Sequence, residues 1–197
     1  MSLEALTLGA FFIATMSFTP GPANLSLLSI GASVGLSRAL PYLVGVWTGG
    51  LIVIAAGALG LGALFVALPT LFLTLKFFGF AYICWLAWKL VRAGFGGPVF
   101  DVAPSFWAGV ALHPVNPKAY VQIVMVFSVF VVPDSPYAPQ AIILGALCIA
   151  TMMMATSLWG LGGDAIRLFV RDPRVMRFVA VVAALFMVAS VGVALIL

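Results

Sequence analysis

The sequence predicts an all-α integral membrane protein: six transmembrane helices in two inverted three-helix repeats, with helices 1 and 4 broken at proline-containing motifs. Three observations carry this reading. The chain of 197 residues is 64% hydrophobic and only 7% charged, with a mean hydropathy of +1.26, whereas a soluble domain has about a quarter of its residues charged. Two apolar segments are each interrupted by a proline pair, and Pro22 and Pro117 lie 95 residues apart, about half the chain. Paired Gly/Pro interruptions in corresponding places of two halves point to the substrate site of a secondary transporter built from repeats. The basic residues, finally, gather on alternate links between apolar segments.

Taken in order, the apolar stretches give spans at 4–33, 40–67, 70–92, 105–132, 138–163 and 175–197, each long enough for the ~20 residues a crossing helix needs. The N-terminus, Met1-Ser2-Leu3-Glu4, has no basic n-region, so the first span is expected to stay in the membrane and not to be cleaved as a signal peptide. Spans one and four are long for a single crossing, as a non-helical break at membrane depth requires. Such a break is tolerated only where it is buried in protein or lines a cavity. Span two carries Gly45 and Gly49 as a small-xxx-small face, continued by Gly57, Gly60 and Gly62, which reads as close helix packing. Span three ends in Lys89 and Arg92. The polar link from Gly94 to Ser105, with Gly96, Gly97, Pro98 and Pro104, divides the chain into repeats at 1–99 and 100–197 within one membrane domain. Three spans per repeat is an odd number, so the second repeat enters the membrane in the opposite sense to the first.

Orientation follows from the cations. Arg38, Lys89, Arg92, Arg167, Arg171, Arg174 and Arg177 fall on links of one side, while the opposite links hold Asp134 and, at most, Lys76. The positive-inside rule then places both termini outside the cytoplasm. Trp85, Trp88, Trp107 and Trp159 lie near the basic ends, where an interfacial aromatic belt is expected. The net charge of +4 sits beside membrane spans and points to the lipid surface as partner, with no nucleic acid. Cys84 and Cys148 stand singly in different apolar runs and are read as inert core residues.

The two breaks read Thr19-Pro20-Gly21-Pro22-Ala23-Asn24 and His113-Pro114-Val115-Asn116-Pro117-Lys118. Proline has no N–H, so these four prolines leave the carbonyls of Met16, Phe18, Val110 and His113 without helical donors. Asn116 is a good N-cap with Pro117 at the first helical position, and Gly21 with Pro22 is a looser version of the same. Half-helix C-termini favour an ammonium group and N-termini a carboxylate. Two such breaks near the midplane therefore suit a zwitterion such as an amino acid. Lys118 lies roughly 20 Å from either end of span four by the helical rise, where an ionisable residue is a functional hypothesis by default. It reads either as a carboxylate-binding cation or as a structural ammonium satisfied by freed carbonyls. Asn24 either hydrogen-bonds the substrate or ties the backbone at the break. His113, the sole histidine, reads either as part of a proton pathway, shared with Lys118, or as a packing donor near a kink.

With Pro20, Gly21, Pro22 and Asn24 in span one, Gly31 and Gly35 after them, Gly79 and Tyr82 in span three, and Asn116, Pro117 and Lys118 in span four, the chain resembles the LysE/RhtB family of amino-acid exporters. The resemblance runs over essentially the whole chain. It implies a multi-pass exporter of the bacterial inner membrane, driven by an ion gradient, without a cofactor and without enzymatic activity; a homo-oligomer, a dimer if any, is left open. It departs from the family at Thr48-Gly49-Gly50-Leu51, where an acidic or other polar residue is common, and in the last span from Val179 to Leu197.

The carboxylates Glu4, Asp101, Asp134, Asp164 and Asp172 all fall at span ends or in links. None is placed to balance a cationic substrate side chain, and a second positive charge beside Lys118 is repelled in a low dielectric. The substrate is thus expected to be a neutral amino acid of the homoserine, threonine or branched aliphatic sort. Three other classes compete. A divalent-cation exporter on a related fold needs several carboxylate oxygens, which the spans do not supply, and no metal site is expected. An intramembrane enzyme using His113 with Ser17 or Ser128 lacks a carboxylate to orient the histidine. The sequence leaves a non-transporting accessory subunit open.

Overall fold

A computed structural model of the chain describes residues 1–60, 69–94, 105–133, 135–170 and 172–196. The described residues are helical and contain no strand. They form α1 (Leu3–Phe18), α2 (Pro22–Val34), α3 (Leu36–Ala58), α4 (Pro69–Gly94), α5 (Phe106–Leu112), α6 (Pro117–Val129), α7 (Tyr137–Phe169) and α8 (Pro173–Ile196). Gly62 of the span-two glycine run, and Gly96, Gly97, Pro98, Asp101, Pro104, Asp134 and Arg171 of the links, lie outside the described residues. Lys76 falls inside α4 and not in a link.

Helix ends follow local chemistry. Ser2 and Ser105 cap α1 and α5 by accepting from the N–H of Ala5 and Ala108, and Asp172 Oδ1 accepts from Arg174 N–H at the start of α8. The turn from α2 to α3 is one residue, Gly35, at φ 86°, a left-handed conformation that favours glycine. The Arg167 guanidinium lies where a side chain at position 35 would go. Buried Gln140 fixes the turn before α7, accepting from Val132 N–H and donating to the carbonyls of Val132, Ser135 and Pro136.

By length and composition α3 and α7 can each cross a bilayer, and α1 with α2 can do so as one span bent by 43° at its break. The second break separates α5 from α6 by the turn at 113–116. The helix α7 runs six residues past the expected end of span five, closing on an Arg167–Asp164 salt bridge of 2.9 Å.

Two crossings set the interior. Gly31 and Gly163 let α2 and α7 approach until a methyl on either would strike the other's backbone, at Gly160 O and Leu28 O. Gly45, Gly49 and Gly109 do the same for α3 and α5, against Phe106 O, Val110 O and Tyr42 O. Small residues at these crossings allow backbone-to-backbone packing, as the span-two glycines suggested. One core unites Leu27 and Ile30 of α2, Tyr42 and Val46 of α3, Ile83 of α4, Leu112 of α5 and Met187 of α8. A second joins Ile13 of α1, Val53 of α3, Ile123 of α6 and Leu144 and Cys148 of α7. Trp47 packs against both.

Candidate functional site

The first break does free carbonyls, and specific side chains take them up. Phe18 O accepts from Trp159 Nε1 at 3.2 Å and Met16 O from Thr19 Oγ1 at 3.0 Å. Asn24 donates both Nδ2 protons to the break, to Ser17 O at 2.8 Å and Thr19 O at 3.0 Å. It is buried, and its Oδ1 accepts no hydrogen bond from the described residues. Trp159 is therefore no belt residue: its ring packs against the first core and its N–H holds the break. Trp85, Trp88 and Trp107 are 44%, 56% and 75% exposed. Lys89 and Arg92 cover the rings of Trp85 and Trp88, an arrangement that suits the lipid interface.

The second break closes on itself. Asn116 caps α6 through Oδ1, which accepts from Lys118 N–H at 3.1 Å, with Pro117 at the first helical position. The His113 carbonyl accepts from Asn116 N–H at 3.1 Å, and Tyr120 OH donates to Pro114 O at 2.5 Å. The half-helix N-terminus of α6 is thus occupied by its own cap. That of α2 has no side-chain cap, so it alone of the two keeps donors for an anion.

Lys118 joins the breaks. Its Nζ donates to Thr19 Oγ1 at 2.9 Å, Thr19 O at 3.0 Å and, more weakly, Pro20 O at 3.4 Å. The end of its side chain lies against Gly21. An ammonium has three N–H donors, and here all three meet oxygens of one break.

Between the breaks lies a cavity of about 60 Å³; one water needs ~10–15 Å³ on the same measure, so it can hold a small solute. Gly21, Asn24, His113, Asn116 and Lys118 line it. Thr19, Pro20, Pro22 and Pro117 belong to the breaks but do not line it. His113 Nε2 is buried without a hydrogen-bond partner. Sequence reasoning missed Gln122, Met152 and Thr156 in the wall, and gave Ser17 and Gly50 other readings, Ser17 as a nucleophile of the competing enzyme and Gly50 as part of the departure from the family. Gln122 donates to Ser17 Oγ at 3.2 Å, and Ser17 Oγ lies 3.2 Å from Thr151 Oγ1. Gln122 was within reach of a pattern argument, since it follows Lys118 by four residues and so shares its helix face. No pattern pointed to Gly50 and Met152, which meet only in the folded chain. Among the described residues no Asp or Glu lines the cavity.

The described residues form an α-helical fold with apolar helices long enough to cross a membrane and an internal cavity between two helix breaks. The LysE type translocator family profile matches residues 14–197. A cysteine/O-acetylserine efflux protein of Shigella flexneri serotype 5b (strain 8401) is 32% identical over 181 residues, covering 90% of this chain and 93% of that protein. The protein of that name from Escherichia coli (strain K12) is 32% identical over 176 residues, covering 87% and 90%. No solved structure matches. The chain belongs to the LysE type translocator family and is accordingly a transporter, not an enzyme.

Proposed function

We propose that the protein exports small neutral amino acids across the bacterial inner membrane by proton-coupled alternating access. The observation that carries this reading is the cavity between the breaks: Lys118 and the uncapped start of α2 line it and can face a carboxylate, the Thr19 and Pro20 oxygens that hold Lys118 Nζ can take an ammonium, and among the described residues no acidic side chain lines it. A cationic substrate side chain has no counter-charge there. Cysteine and O-acetylserine, named for the relatives, have neutral side chains, as do the homoserine and threonine expected from the sequence. Met152 and Cys148 give part of the wall an apolar, polarisable character. Thr19, Pro20, Gly21, Pro22, Asn24, Asn116, Pro117 and Lys118 form the substrate site in this reading. His113, with its unpartnered Nε2, and Lys118 are the groups through which a proton is coupled.

The architecture in this proposal is six spans in two inverted repeats, 1–99 and 100–197. Its support is the packing of counterparts: α3 against α7 and α4 against α8, the second and third elements of each half. With 26 and 24 residues, α4 and α8 rise about 39 and 36 Å, enough to cross a ~30 Å hydrocarbon core.

The test is efflux from proteoliposomes for a panel of neutral, basic and acidic amino acids, with and without an imposed proton gradient. Gradient-stimulated movement of the neutral set is expected. Transport of lysine or arginine in preference to it would overturn the substrate assignment, and indifference to the gradient would overturn the coupling.

A further inference from the structure

Lys118 takes up the position that an amino acid's own ammonium would need. The seat comprises Thr19 O, Thr19 Oγ1 and Pro20 O, three oxygens for three N–H donors, and nothing in it distinguishes a lysine ammonium from the α-ammonium of a free amino acid. Thr19 and Pro20 do not line the cavity themselves; Lys118, which does, joins the seat to it. An amine arriving alone would have to evict Lys118 with no acidic side chain lining the cavity to receive the displaced charge. Two ammonium groups would then share one small volume of low dielectric. A carboxylate arriving alone could draw Lys118 toward itself but would leave the three oxygens empty. A zwitterion supplies both partners at once.

We propose that Lys118 is a tethered occupant of the transporter's ammonium seat. The substrate is selected as a zwitterion because its carboxylate draws Lys118 off Thr19 and Pro20 as its α-ammonium takes their oxygens. The exchange adds no net charge to the cavity, and Lys118 trades neutral acceptors for an ionised one, to which a hydrogen bond is about twice as strong, while the substrate's α-ammonium takes over the neutral acceptors that Lys118 leaves. It makes Lys118, Thr19 and Gly21 the residues that set selectivity for α-amino acids over amines and over simple acids. The inference rests on the proposed amino-acid export for its substrate, but not for its central claim about the seat.

A matched set of probes separates the two: L-homoserine, its decarboxylated amine 3-aminopropan-1-ol, and its deaminated acid 4-hydroxybutyrate. Binding is measured by calorimetry on the full chain in nanodiscs. The wild type is expected to bind homoserine at least tenfold more tightly than either fragment. In Lys118→Met the seat is vacant, and affinity for 3-aminopropan-1-ol is expected to rise at least tenfold over wild type while homoserine loses its advantage over the amine. Gly21→Ala is the second variant, in case Lys118→Met does not fold. Its backbone at φ −163° and ψ 173° accepts alanine, and the added methyl would lie 3.0 Å from Lys118 Cδ and Nζ, so the lysine must shift by a few tenths of an ångström and its hold on the oxygens is loosened. A several-fold gain for the amine is expected there. Absence of that gain in every variant that melts as a folded protein overturns the seat. A gain for the amine in a protein that carries no amino acid would uphold the seat and sink the export reading instead.

Discussion

At the scale of single residues, proline, tryptophan and lysine divide the work of keeping a broken helix inside a membrane. Pro22 removes the donor that Phe18 O would have had, and Trp159 restores one from another helix. Trp159→Phe keeps the ring and deletes the N–H, so the carbonyl is left without its partner. A loss of about 1–3 kcal/mol is expected, read as lower melting in detergent, with reduced efflux because the break no longer holds its shape; unchanged melting would show that the bond is dispensable. Lys118 is expected to behave differently. Lys118→Ala should abolish amino-acid efflux while the protein inserts and melts normally, and Lys118→Arg should be impaired because a planar fork does not reproduce a compact three-donor ammonium. Wild-type rates in the alanine variant would remove Lys118 from the site. The composition of the breaks was legible in the sequence, down to Asn116 as a cap. Which freed carbonyl meets which donor was not, because Trp159 and Lys118 reach their partners across 141 and 99 residues of chain, and no local pattern encodes such a meeting.

At the scale of elements, most of the described helices start and stop within a few residues of the apolar periods, because capping residues and prolines mark those ends in the sequence itself; the exceptions are α3, which ends at Ala58 where span two was expected to reach 67, and α7, which runs to Phe169 and not 163. The first break read as a looser cap than the second, and the structure bears this out. The start of α6 is satisfied by Asn116, whereas α2 begins at Gly21, which has no side chain to do the same. The glycine crossings give the element scale its own prediction. A methyl on Gly163 would collide with Leu28 O and one on Gly49 with Val110 O, while one on Gly145 would meet nothing nearer than Ile54 Cγ2 at 3.8 Å. Gly163→Ala and Gly49→Ala are expected to force α2 from α7 and α3 from α5 at about 1–3 kcal/mol each. Gly145→Ala, with room for its methyl, is expected to gain up to ~1 kcal/mol from helix propensity. Thermal unfolding of the three purified variants checks the order. Equal effects at all three sites would mean that backbone contact does not set these crossings.

For the whole molecule, the question is which way the chain is threaded, and this rests on charge. The cations Arg38, Lys89, Arg92, Arg167, Arg174 and Arg177 all lie at or beside helix ends that belong to one side if six spans are counted. The helix α7 supports the same assignment. Its 33 residues rise about 50 Å, well beyond a ~30 Å core, and the excess ends in the Arg167–Asp164 pair, a polar termination suited to water and headgroups. If the basic side is cytoplasmic, both termini face the other way. A phosphatase reporter that folds only outside the cytoplasm should therefore be active when fused after Leu197 and silent when inserted beside Arg38, and a cytoplasmic fluorescent reporter should show the reverse. Activity of the fluorescent reporter after Leu197 would mean an odd number of spans. In that event the two halves could not be inverted copies, and the meeting of the two breaks at one cavity would need another origin.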